Sequence, residues 1–326
     1  MDSGRAAILH ALKALALKLF GLLLVASAIA LALSRAPDRP VATLVARWAP
    51  PPSDFVELDD GQLVHLRDEG PRGDALPLVL VHGTSASLHT WEGWVRALRG
   101  DRRVVTFDLP GFGLTGPAVG GDYGGDADAR FVLALLDRLQ LDRVVIGGNS
   151  LGGEVAWRVA TLAPQRVAAL VLVDAAGPAF DSETIPVGWV VARIPVLDRL
   201  LEHLLPRGIV AASLAAAYAD PARITPELVD RYFELTLREG NRRALVQRLR
   251  RFERGAGADR VATITQPTLI LWGGRDRMIP PSVGRWFHET IAGSTLVVFD
   301  DLGHVPHEED PARSVMPVVE FLAAHR

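Results

Sequence analysis

From Asp54 onward, short apolar runs rich in Val, Leu and Ile alternate with longer amphipathic stretches, and this alternation leaves the chain few architectures. Phe55 to Leu58 and Leu63 to Leu66 flank Asp59-Asp60-Gly61, which has the chemistry of a hairpin turn. Runs at 78–81, 103–107, 144–147 and 169–173 read as buried parallel strands, each ending in a Gly- or Asp-containing loop. Two more, 268–272 and 295–299, come much later. Helical stretches such as 127–139 and 153–162 lie between them. Strands without a polar face must be covered on both sides, so the reading is an α/β fold: a mostly parallel sheet with helices on both faces.

Residues 177–260 break the rhythm. They hold helical blocks at 186–205, 209–218, 226–237 and 241–252, and no convincing strand. An all-helical insertion between two strands is most economically a cap over one edge of the sheet. The expected division is therefore a core at 54–176 and 261–326 with a helical cap at 177–260.

The N-terminal segment obeys different rules. Leu19 to Ser34 contains no charge, and extending back to Ala14 adds only Lys18, whose long side chain can reach an interface. Arg5, Lys13 and Lys18 precede the run, and Arg35 and Arg39 follow it. Residues 1–35 are expected to form an uncleaved single-pass membrane anchor, with a signal peptide cleaved near Ala26-Ser27-Ala28 or Ala30-Leu31-Ala32 as the alternative. The first reading places the protein at a bacterial inner membrane, the second in the periplasm or outside the cell. Near-balanced basic residues on the two sides leave orientation weakly specified. Residues 36–53 read as a Pro-containing linker.

Composition narrows the chemistry. The chain has 326 residues and a formal net charge of −3, enough length for a large core and no electrostatic reason to bind nucleic acid. The absence of cysteine excludes disulfides, thiolate metal sites, iron–sulfur clusters and a cysteine nucleophile.

The strongest local signal is Gly148-Asn149-Ser150-Leu151-Gly152, a G-x-S-x-G pattern that follows a strand and opens a helix. In that context Ser150 sits on a sharp, strained turn that pushes its hydroxyl outward, with the start of a helix behind it to stabilise developing negative charge. A serine hydroxyl needs a base, and the base needs an orienting acid. His304, in the loop after the last strand, is favoured as base over His307, because Gly303 lets the chain turn there. His203 and His288 fall on helical stretches and read as surface or interface residues. Asp276, after the penultimate strand, is the preferred acid, with Asp174 as substitute. Backbone N–H groups of Leu151 and Thr84 are the expected oxyanion donors. His82 reads as a structural residue holding the loop after 78–81.

Together these segments give the chain, from about Phe55 to its end, a resemblance to the α/β-hydrolase superfamily. The likeness is carried by His82-Gly83, Asp108-Leu109-Pro110-Gly111-Phe112-Gly113, Gly148 to Gly153, Gly273-Gly274-Arg275-Asp276 and Gly303-His304. It implies an eight-stranded sheet, a cap inserted after the sixth strand, a Ser150–His304–Asp276 triad and no cofactor. Ser150 stands where haloalkane dehalogenases and epoxide hydrolases carry Asp. Leu151 departs from the Trp common in proline iminopeptidases. The Asn149-Ser150 pair and the cap are similar to hydrolases of carbon–carbon bonds in aromatic ring cleavage, which usually carry Trp where this chain has Val305.

The expected activity is a serine ester hydrolase for lipophilic or aromatic acids, with Val190, Val191, Ile194, Leu197, Leu200, Leu201, Leu204 and Leu205 as an apolar cap surface. The alternatives are a carbon–carbon bond hydrolase using Arg193 or Arg207 for a substrate carboxylate, an acyltransferase, and a non-catalytic membrane-tethered binding protein. The expected partners are a small ester and, through the N-terminal helix, a membrane. Oligomeric state is not specified.

Overall fold

A computed structural model describes residues 2–184, 194 and 202–325 of the chain. The strands are β1 (Ser53–Glu57), β2 (Leu63–Glu69), β3 (Leu78–Val81), β4 (Val104–Phe107), β5 (Val144–Asn149), β6 (Val167–Val173), β7 (Thr268–Gly273) and β8 (Thr295–Phe299). They form one eight-stranded sheet in the order β1-β2-β4-β3-β5-β6-β7-β8. The expected hairpin pairs Phe55 with His65. Strand β2 runs antiparallel to both β1 and β4, and every other neighbouring pair is parallel.

Residues Asp2–Ser34 form one helix, α1. Leu12, Leu15, Leu17, Leu19, Phe20, Leu22, Leu23, Leu24 and Val25 are exposed around it. The side chains of 27–33, where the anchor reading and both candidate cleavage sites partly fall, lie outside the described residues. Among the described residues no helix is long and apolar enough to cross a membrane.

The linker expected at 36–53 is corrected: Ala42–Trp48 forms helix α2. Val41, Leu44, Val45 and Trp48 recur at helical spacing, and the fully buried Leu44 packs against Leu114 of the core and Leu235 of the cap. Pro37 and Pro40 obscure this pattern, which spans too few residues to register as periodicity. The chain before α2 is tied down as well, with bridges from Arg35 to Leu204 and from Arg39 to Arg238.

Side-chain alternation sorts the strands into two cores. Leu78 and Leu80 of β3 face one layer, with Val145, Val171 and Val173. This layer is closed by α3 (Glu92–Leu98) and by Val318 and Leu322 near the C-terminus. Val79 and Val81 face the other, with Ile146, Leu170 and Leu172. That layer is covered by α4 (Ala127–Arg138) and α5 (Leu151–Leu162). Each such fully buried side chain contributes about 1.5–3 kcal/mol relative to exposure.

Among the described residues three longer cap helices follow: α6 (Arg207–Ala217), α7 (Pro226–Thr236) and α8 (Asn241–Arg251). Thr225 caps α7 by accepting from the Leu228 N–H at 3.2 Å, and Pro226 takes the first helical position. Leu214, Tyr218 and Val229 form the cap's own small core together with Val305, which follows His304. Most of the block expected at 186–205 lies outside the described residues, including Val190, Val191, Arg193, Leu197, Leu200 and Leu201.

Candidate active site

Strand β5 gives way to α5 through Ser150, whose φ of 56° and ψ of −118° are strained for a residue with a side chain. The surrounding backbone holds it there. Ser150 N–H donates to Val173 O at 3.1 Å, while Ser150 O accepts from Ala176 N at 3.0 Å and from Glu154 N at 3.1 Å. A Cβ on Gly148 would collide with the Gly152 carbonyl, and one on Gly152 with the Val81 carbonyl, so both positions exclude any side chain. The Asn149 amide donates to Val173 O at 3.2 Å and to His304 O at 2.9 Å, binding the turn to the histidine loop.

The structure joins His304 to Asp276. His304 Nδ1 lies 2.7 Å from Asp276 Oδ2, and both residues are buried. Asp276 is also the turn-former of its loop: its Oδ1 accepts from Met278 N at 2.7 Å and Ile279 N at 2.9 Å. The local and the long-range roles fall on different oxygens of one carboxylate, so neither competes with the other. Asp174 closes the group from the end of β6, with its donor oxygen, that of Asp276 and the His304 nitrogen all within 4.8 Å of one another. Such spacing would suit a cation, but the imidazole nitrogen is already engaged by Asp276. Burial, reinforced by the Asp276 carboxylate, pushes the Asp174 carboxyl well above the usual range.

Ser150 and His304 line one cavity of about 600 Å³, together with Thr84 and Leu151. Its walls include Ile194, Leu205, Ile209 and Leu214 from the cap and Leu245 and Leu249 from α8. Two of the expected cap residues, Ile194 and Leu205, are therefore at the cavity, whereas Leu204 is engaged with Arg35. Glu154 also lines the cavity. Burial pushes its carboxyl upward against the opposing pull of Arg158, which it contacts at 2.7 Å.

The remaining histidines take other work. His82 Nδ1 sits 2.7 Å from Gly83 O and its Nε2 accepts from Leu109 N at 2.9 Å, so one imidazole joins the loops after β3 and β4. His307 is fully buried, stacked 4.1 Å from the Trp91 ring and 2.9 Å from Thr90 Oγ1. His288 contacts Ser294 Oγ at 3.0 Å and His203 is exposed, both away from the cavity. A second His–Asp pair exists in His65 and Asp108, also at 2.7 Å. Asp108 additionally accepts from Leu88 N and Leu114 N, which makes that pair a clasp for the loop after β4, and neither residue lines the cavity.

Glu309 carries no signal in the sequence. This buried carboxylate accepts from Gly303 N at 2.8 Å, Ala219 N at 3.2 Å and Asp220 N at 2.8 Å, binding the histidine loop to the cap. His304 N adds a 2.7 Å bond to Ala217 O. A Cβ on Gly303 would strike that same carbonyl, so glycine is required there by the approach of the cap and not by the turn expected from sequence. Tyr232 was missed too. It lines the cavity and donates its hydroxyl to Glu308 Oε2 at 2.8 Å.

Residues 77–311 match the family model described as alpha/beta hydrolase fold. The chain is 32% identical over 272 residues to the dihydrolipoyllysine-residue acetyltransferase component of an acetoin cleaving system from Pseudomonas putida, covering 81% of this chain and 68% of that one. It is 30% identical over 263 residues to a 2-hydroxy-6-oxo-2,4-heptadienoate hydrolase from Pseudomonas putida, covering 77% and 91%. Among solved structures, a membrane phospholipase A described as a bacterial virulence factor superposes with a TM-score of 0.72 at 25% identity, covering 96% of this chain and 99% of its own.

Proposed function

The chain belongs to the α/β-hydrolase family, and from that premise we propose that it is a serine hydrolase cleaving carboxylic esters of lipophilic acids through an acyl-enzyme. Ser150 Oγ attacks the ester carbonyl while His304 takes its proton. Asp276, bound to Nδ1, fixes the tautomer that leaves the other ring nitrogen for that transfer. The backbone N–H groups of Thr84 and Leu151 stabilise the oxyanion. The imidazole then returns the proton to the leaving alkoxide and activates the water that releases the acid.

The observation that carries the ester reading is the cavity wall. Carbon–carbon hydrolysis of a ring-cleavage acid needs a cation for the substrate carboxylate, and the relative from Pseudomonas putida keeps that reading alive. Arg193 lies outside the described residues, and Arg207, half-exposed, pairs with Asp230 at 2.7 Å and does not line the cavity. Of the cavity residues, Arg248 is held by Asp128 and by Pro110 O at 2.9 Å, and Arg254 is an exposed neighbour of Asp181. An apolar pocket whose arginine is already neutralised suits an acyl chain better than a carboxylate.

The N-terminal helix completes the proposal as a single-pass anchor at a bacterial inner membrane, supported by its exposed leucines and by the near full-length likeness to a membrane phospholipase A. p-Nitrophenyl esters of graded chain length, run beside a ring-cleavage diketone, test the function. Ester turnover that rises with chain length is expected, and diketone cleavage without ester turnover overturns the reading. Retention of the full-length chain in alkali-washed membranes tests the anchor.

A further inference from the structure

We propose that Asp174 is held as a neutral carboxylic acid that donates its proton to Asp276, a positioning residue keeping a single negative charge beneath His304. Its effect on catalysis rests on the triad reading above; its protonation does not.

Asp174 ends β6 fully buried, with a φ of 43° that is rare for a residue bearing a side chain. Its Oδ1 accepts one bond, from Gly273 N at 2.9 Å. Its Oδ2 is buried with no hydrogen-bond partner, which for a carboxylate means stranded charge density. The carboxylate beside it is far better supplied, since Asp276 already accepts from two backbone N–H groups and from His304. Two ionised carboxylates this close in a buried site repel, and the less solvated one keeps the proton. The ionisable groups facing Asp174 are Asp276 from the loop after β7, His304 from the loop after β8 and Glu309 from the turn beyond it. Glu309 adds a further negative charge, so the surroundings oppose ionisation from two sides. A proton on Oδ2 turns the stranded oxygen into a donor and the acid–acid contact into a hydrogen bond.

An amide mimics a neutral acid, so Asp174→Asn separates the two protonation states. The test compares full-length wild type, Asp174→Asn and Asp174→Ala by infrared spectroscopy near neutral pH and by the pH profile of p-nitrophenyl ester hydrolysis. The expected result is a protonated-carboxyl band in the wild-type minus Asp174→Asn difference spectrum, which also sets aside any contribution from Glu154. The acid limb of kcat/KM should coincide in wild type and Asp174→Asn. In Asp174→Ala it should move to higher pH, with kcat down about tenfold, because Asp276 has lost its donor. A difference spectrum lacking the band, or an acid limb about one unit lower in Asp174→Asn, shows that Asp174 was ionised and overturns the proposal. If Asp174→Ala does not fold, the band and the Asp174→Asn profile still decide. A band present in a protein whose Ser150→Ala variant keeps full activity would refute the triad and leave the protonation standing.

Discussion

The floor of the cavity and its roof are held by different kinds of bond. Ser150 is fixed by backbone hydrogen bonds to β6 and the chain after it, and by glycines that admit no Cβ. The cap adds side-chain charge to its few backbone bonds, such as His304 N to Ala217 O. Glu308 takes Arg231 and the Tyr232 hydroxyl, and Glu309 takes two cap N–H groups, from Ala219 and Asp220, beside that of Gly303. Glu234 takes Trp48 Nε1 at 2.7 Å and Arg47 at 2.8 Å, and Asp38 meets Arg242 at 2.5 Å. Backbone geometry is insensitive to salt and tolerates little change in sequence. The pairs with an exposed partner, Arg47–Glu234 and Arg242–Asp38, are softened by salt and can be rewritten residue by residue. On the proposed function, the contrast separates a part that must be rigid for chemistry from a part free to vary with substrate.

The largest break comes from the floor. Ser150→Ala or His304→Ala should lower kcat by about 10⁵–10⁶-fold without altering the fold, as ester kinetics and circular dichroism would show. Retained turnover in Ser150→Ala would remove the floor from the chemistry altogether. Glu309→Ala tests the joint between the two regions. Leaving the buried Gly303 N–H and the part-buried Ala219 and Asp220 N–H groups without an acceptor should cost about 1–3 kcal/mol and reduce kcat more than KM rises, because the histidine loop loosens first. Equal activity in folded Glu309→Ala would show that the cap does not steady His304.

The smallest effect on turnover is expected at His307, where His307→Gln should change kcat by less than about threefold. Its signature is stability against pH. Burial holds His82 and His307 below the ordinary histidine value of 6.5, so the unfolded chain takes up protons first as pH falls. Their contribution is therefore complete above about pH 6.5 and is lost progressively below it. His307→Gln should flatten that decline in urea melts compared at pH 5 and pH 7.5. An unchanged slope would mean that His307 titrates alike in both states.

Strands and core helices were legible because two-residue and helical periodicities are local, and they fell at or within three residues of their expected bounds. Ser150, His304 and Asp276 were legible because strand ends present loops in a fixed order. Helix α2 was not, since seven residues reveal amphipathicity only once Leu114 and Leu235 are seen beside it. Glu309 looks like any surface glutamate in Pro306-His307-Glu308-Glu309, and its role depends on the cap's backbone arriving from residues 217–220. Asp174 was visible as a carboxylate at a strand end, but its pairing with Asp276 is a matter of distance across two strands.

The stretch before α2 reaches far along the chain: Asp38 bonds to Gly240 N at 3.2 Å and to Arg242, partners separated by 202 and 204 residues. Closing loops of that size sacrifices chain entropy before any contact rewards it, and the reward depends on a sheet already built. That tie therefore adds to the roof's hold only once the sheet between its two ends is in place. It makes the segment ahead of the first strand a strap over the cavity that Ser150 lines.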